Sequence, residues 1–181
     1  NTKMRNNTLV NNYANFGIGS SSVSDFYCDI DTSNTINGKP MYYLIGQDDL
    51  LFDETIEIGF LGLIECENIS VQNRDFRNNF EGMVLAGTSS SVIENCSFMN
   101  NEGHGMYLIS SLGNLVRNCT FTDGFFDGIF LYDSSNNIVE SCSISGSAAG
   151  VRLEYSTQNT LLQETIDDCV VGIFFGAAYQ N

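Results

Sequence analysis

Between Asn68 and Phe175 the apolar positions recur in one short phrase, five times over. Ile93-Glu94-Asn95-Cys96-Ser97-Phe98 is followed by Gly105-Met106-Tyr107-Leu108, and the same phrase returns from Val116, Val139 and Leu161 and precedes them from Val71. The glycines that mark it, Gly82, Gly105, Gly128, Gly150 and Gly172, stand 22 or 23 residues apart. That period is too short for a strand–helix–strand unit and suits one coil of a β-solenoid, in which each coil covers the apolar edge of the one before.

Alternation within the phrase assigns faces. Met106 and Leu108 point inward and Tyr107 outward; Cys96 and Phe98 point inward and Ser97 outward. Ile93 and Phe98 are an odd number apart yet both apolar, so the chain must bend near Glu94-Asn95. Three inward columns result: Val71, Ile93, Val116, Val139, Leu161; Phe76, Phe98, Phe121, Ile144, Ile166; and Leu85, Leu108, Leu131, Leu153, Phe175. Every one of these positions is apolar, as a stacked core requires.

The N-terminal part is less regular. Met4 to Leu9 with Gly17-Ile18 reads as an earlier coil, so the chain is expected to start inside the repeat, and to end at Asn181 without a cap. Residues Thr32 to Thr55 break the period with a turn-rich stretch and an acidic loop, and read as a lateral excursion from one coil of a single domain spanning 1–181. No apolar run approaches a membrane span. No signal peptide is visible, so a secreted form would be mature or a fragment.

With 7 basic and 22 acidic residues the net charge is −15, which excludes a nucleic-acid partner, since phosphate binding requires basic side chains. It fits a soluble surface protein or one that binds cations. Six cysteines do not form a small-domain framework: Cys96, Cys119 and Cys142 share one inward column and read as small buried packing groups, while Cys28, Cys66 and Cys169 are better placed for bridging. Glu94, Arg117 and Glu140 make a column of alternating charge that supports stacking, and Thr8, Ser97, Thr120, Ser143 and Thr165 an outward hydroxyl ladder. Arg74 and Glu164 interrupt the cysteine column on either side.

Two constellations carry candidate chemistry. The residues just before three consecutive glycines are Glu81, His104 and Asp127, which stack as carboxylate, imidazole, carboxylate. They suit a divalent cation, calcium or a transition metal, although a solvated column of turn residues would look the same. Beside them the outward positions Val84, Tyr107, Phe130, Arg152 and Phe174 form a stripe that suits a protein interface or a sugar platform. Asn6, Asn68, Asn95 and Asn118 begin glycosylation sequons, the last two at a tight bend.

The repeat, with the stretch Asp29-Ile-Asp-Thr-Ser-Asn-Thr-Ile-Asn-Gly-Lys-Pro-Met-Tyr-Tyr-Leu44 ahead of it, resembles the NosD-like right-handed parallel β-helix proteins. These belong to a wider group of β-helix domains in carbohydrate-binding proteins and sugar hydrolases on archaeal and bacterial surfaces. The resemblance implies an all-β right-handed parallel β-helix, with about seven coils expected. It leaves three functions open. The first, and the expectation here, is a non-catalytic extracellular or cell-surface protein that assembles with copies of itself or with surface-layer neighbours. The second is a polysaccharide-binding or polysaccharide-processing module. The third is periplasmic copper handling, for which soft ligands are scarce.

Overall fold

The computed structural model describes residues 2–177. The chain winds through about eight turns of an all-β solenoid, one more than the repeat count implies, and among the described residues it has no α-helix, only a short 3-10 turn at Val23–Phe26. Its long sheet has nine strands, running from Thr8–Leu9 and Thr35–Ile36 through Lys39–Ile45, Phe60–Ile64, Met83–Ala86, Met106–Ile109, Asp127–Tyr132 and Ala149–Glu154 to Val171–Gly176. A six-stranded and a five-stranded parallel sheet close the other two sides. Register follows the repeat: Leu85 pairs with Leu108 and Leu108 with Leu131, Ile93 with Val116, and Phe98 with Phe76 and Phe121.

The corners are made by residues in the left-handed region. Asn73, Asn95, Asn118, Ser141 and Gln163 all have φ between 52° and 58°, and they lie at the bend that the side-chain parity demanded. Asparagine tolerates this conformation better than most side chains, which accounts for its abundance here. Between the sheets the inward columns form one apolar core as far as Val139, Ile144 and Leu153, in which Phe98 and Phe121 stack with centroids 4.6 Å apart. In the last coil Leu161 and Ile166 are only partly buried, and Phe175, expected inward, is exposed because no described coil covers it. Cys66, Cys96, Cys119 and Cys142 are buried, and none of the six thiols is bridged, Cys28, Cys66 and Cys169 included.

A second layer lies outside the long sheet. Phe16, Ile18, Val23 and Phe26 from the N-terminal segment pack over its outer face, against Tyr43, Phe60, Val84 and Tyr107. The coil expected from Met4 to Ile18 therefore divides: Lys3–Met4 and Thr8–Leu9 pair with Asp29–Ile30 and Thr35–Ile36, whereas the residues between Val10 and Cys28 run across the solenoid as a strap. Conversely, 32–55 is not a lateral excursion. Met41–Ile45 pairs residue for residue with Phe60–Ile64, and Leu51–Phe52 with Ser70–Val71, so this stretch builds a coil. What breaks its period is the tight antiparallel turn joining Thr35–Ile36 to Lys39–Pro40.

Each side chain that interrupts the cysteine column finds one local partner, while Arg74 Nε and Glu164 Oε1 stay buried without one. The Arg74 head reaches a turn, where Nη1 donates to the Asp53 carbonyl at 3.1 Å. Glu164 accepts the Cys142 backbone N–H at 3.1 Å. Arg117 donates to Glu94 at 2.7 Å, as expected of a stacking column.

Candidate functional site

The strap is fastened to the solenoid by backbone and side-chain bonds. Asn15 N–H donates to the Asn78 carbonyl and Phe80 N–H to the Phe16 carbonyl, at 2.9 and 2.8 Å. Ile18 N–H donates to Glu81 Oε2 at 3.0 Å, and the Tyr107 hydroxyl to the Ser20 carbonyl at 2.9 Å. The approach is close enough that a Cβ on Gly17 would stand 2.6 Å from that of Phe80. Beyond this seam the strap lifts from the sheet and leaves a cleft of about 520 Å³, with Gly19 and Ser20 on one wall and Asp127, Phe130, Arg152 and Glu154 on the other.

Each residue of the Glu81, His104 and Asp127 column reaches this cleft. Asp127 is fully buried and takes a hydrogen bond from Arg152 Nε at 2.9 Å through Oδ2. Its Oδ1 has no partner. Arg152 also donates to Glu154 at 3.2 Å, so the guanidinium joins two carboxylates. His104 Nδ1 lies 3.1 Å from Asp127 Oδ2 but out of line for a hydrogen bond, and its ring is set among Tyr107, Phe126 and Phe130. Burial raises the Glu81 carboxyl above its ordinary range, against the opposing pull of the Ile18 N–H and of His104.

These contacts argue against the metal reading of Glu81, His104 and Asp127. Among the described residues no group of three His, Cys, Asp or Glu side chains gathers where an ion could bind. Glu81 is tied to the strap, and the charge of Asp127 is already met by Arg152.

The stripe also needs correction. Val84 and Tyr107 are 0% and 6% exposed beneath the strap, so only Phe130, Arg152 and Phe174 remain partly open. Nor are the ring faces free. Tyr107 and Phe130 stack on each other at 5.1 Å, and the Arg152 guanidinium is inserted between Phe130 and Phe174, 6.0 and 4.6 Å from their centroids. Cation–π contact and two carboxylates thus fix Arg152 in place. Phe130, between Tyr107 and Arg152, thus has no free face to offer the cleft, and Phe174, 37% exposed, does not line it.

The remaining wall is Phe80 and Phe126, which directly precede the site carboxylates Glu81 and Asp127 and which the glycine-marked repeat does not single out. In the coil between them the same position is Gly103, where a Cβ would meet the Phe80 ring at 2.7 Å. Glycine there lets the Phe80 ring lie over the neighbouring coil.

Comparison with protein families decides the lineage. Residues 59–181 match the model described as the right handed beta helix region, which is most of the chain. The chain belongs to this family. Comparison with curated proteins gives no match. As a right-handed β-helix the protein has its handedness assigned together with its fold. Its activity is not, because function on such a scaffold lies in the residues grafted on its faces. Among the described residues no helix is long and apolar enough to cross a membrane.

Proposed function

We propose that this right-handed β-helix protein is a glycan-binding module of the cell exterior, with the sugar held in the cleft between strap and long sheet. The observation that carries the reading is the chain Asp127–Arg152–Glu154, fixed in a concave site that Phe80, Phe126 and Phe130 also line. A sugar offers hydroxyls that both donate and accept, and apolar C–H faces between them. Arg152 and Glu154 meet the first and ring edges the second, while the buried Asp127 carboxylate holds the guanidinium in place. The wider group of β-helix domains that the repeat resembles, in carbohydrate-binding proteins and sugar hydrolases, agrees with a carbohydrate-handling role.

The test is isothermal titration with a panel of neutral oligosaccharides against wild type and Asp127→Asn. Binding by wild type, weakened at least tenfold in the variant with the melting transition retained, supports the proposal. Absence of binding across the panel removes it.

Self-assembly is the second reading, favoured by Val171, Ile173 and Phe175 on the last described coil, whose side chains are exposed. A further coil or a second copy would cover them equally well. Light scattering in low salt, high salt and calcium separates the readings: growth of the particle with ionic strength or calcium is expected of assembly, because both screen a charge of −15. A particle of one size throughout excludes it.

A further inference from the structure

Next to the cleft is a second depression of about 310 Å³, bounded by Tyr13 and Ala14 of the strap and by Phe80, Glu102, Phe125 and Phe126. Phe80 and Phe126 belong to both depressions, and their rings meet edge to face with centroids 6.2 Å apart, forming a low sill between them. Tyr13 of the strap and Glu102 of the solenoid both line this groove, and the Glu102 carboxylate raises the Tyr13 hydroxyl pKa above its ordinary value.

The rings here differ from those of the Tyr107–Phe130 stack. Tyr13 is 82% exposed, Phe125 66%, Phe126 43% and Phe80 41%, and Phe125 stands perpendicular to Phe126 rather than stacked on it. Four open rings gathered in one concave patch are more than a scatter of surface apolar residues requires. Unlike Phe130, they have surface left for a ligand.

Charge limits what that ligand is. The cleft sets Glu81, Asp127 and Glu154 against a single arginine, Arg152, and the groove adds Glu102 with no arginine or lysine of its own. Arg152 is already shared between Asp127 and Glu154. A chain of uronates or sulfated sugars would bring further negative charge into this setting with no free cation to receive it.

We infer that the groove is a stacking subsite continuous with the cleft, and that the ligand is a neutral oligosaccharide chain that crosses the Phe80–Phe126 sill and fills both. This rests on the glycan reading of the cleft. In this arrangement the cleft supplies polar recognition of one unit, and Tyr13, Phe125 and Phe126 supply apolar faces for the units that follow. A polymer is thereby distinguished from a free monosaccharide, which would fill the cleft alone.

The experiment is a titration of wild type, Phe125→Ala, Tyr13→Ala and Asp127→Asn with linear glucose, mannose and galactose oligomers of increasing length, with oligogalacturonate as the anionic comparison. In at least one neutral series affinity should rise from the shortest bound sugar and then level off. Phe125→Ala and Tyr13→Ala should each weaken the longer oligomers by roughly three- to tenfold while leaving the shortest unchanged. Both side chains are exposed, so the variants should melt with wild type. Short sugars that bind with no gain on lengthening, or a Phe125→Ala variant that binds long oligomers like wild type, would overturn the subsite and leave the cleft reading intact. Failure of every neutral oligomer would overturn the cleft reading itself. Tighter binding of oligogalacturonate than of any neutral chain would overturn the charge assignment.

Discussion

The glycine column that marks the repeat makes a differential prediction. A Cβ on Gly105 would lie 2.6 Å from the Gly128 carbonyl oxygen and 2.6 Å from Phe121 Cδ1. On Gly82 it would lie 2.5 Å from the Gly105 oxygen, and on Gly150 2.6 Å from the Gly172 oxygen. The obstacle is the backbone of the next coil, whose spacing of about 4.8 Å is set by the sheet hydrogen bonds on either side. Gly105→Ala must therefore push coils apart or twist one. Overpacking of this kind costs about 1–3 kcal/mol, and a weakened rung adds about 1 kcal/mol, so a loss of roughly 3 kcal/mol is expected. Gly172 has the same place in the repeat, but its Cβ would meet only Ile166 Cγ2 at 3.9 Å, an ordinary contact. Gly172→Ala should lie within about 1 kcal/mol of wild type, on the stabilising side because alanine loses less backbone entropy. Urea unfolding followed by circular dichroism gives both midpoints. Equal shifts for the two variants, or an unchanged midpoint for Gly105→Ala, would refute the close-approach argument.

Two further predictions concern stability. Phe121→Ala removes a ring stacked on Phe98 in the middle of the core and should cost roughly 3–5 kcal/mol; an unchanged denaturation midpoint would contradict the register. The Glu164 carboxyl is pushed up from 4.5 to about 7, by burial first and then by repulsion from Glu140, against the opposing Cys142 N–H. Its contribution is thus fully present below pH 4.5 and lost as pH rises through about 7. Glu164→Gln should be near neutral at pH 4 and stabilising above pH 7, by about 1–2 kcal/mol once the shift is discounted for solvent screening of a partly exposed side chain. Urea midpoints at pH 4 and pH 8 that differ equally from wild type would refute it.

How much of this was readable beforehand follows from how a solenoid is held together. Each coil touches only its neighbours, so the columns Val71–Val139, Phe76–Ile144 and Leu85–Leu153 could be read directly from a 22- or 23-residue period. The same period led to Asn95 and Asn118 at the bend, and to the adjacency of Glu81, His104 and Asp127. It said nothing of a second layer. Alternation shows that Val84 and Tyr107 face away from the core, but facing away is not exposure, and the strap that buries them has no repeat of its own. The free faces assigned to Tyr107 and Phe130 failed for a related reason, since identical spacing stacks rings on one another along the coil axis. The sequence carries a further regularity: Ser111, Ser134 and Ser156 each stand three residues before Asn114, Asn137 and Asn159. In the structure Asn114 N–H donates to Asn137 Oδ1 at 2.9 Å and Asn137 N–H to Asn159 Oδ1 at 2.9 Å, while the serines do the same for their own corner. These buried ladders satisfy backbone groups at the turns, where sheet pairing lapses.

The central claim, that the cleft under the strap holds a neutral sugar chain, is tested most directly by a crystal structure of the protein soaked with the tightest neutral oligomer from the titrations. One sugar unit should lie between Gly19–Ser20 and Asp127–Arg152–Glu154 with its hydroxyls on Arg152 and Glu154, and the chain should pass over Phe80 and Phe126 toward Phe125. Sugar bound on either of the other two sheets with this cleft vacant would contradict it.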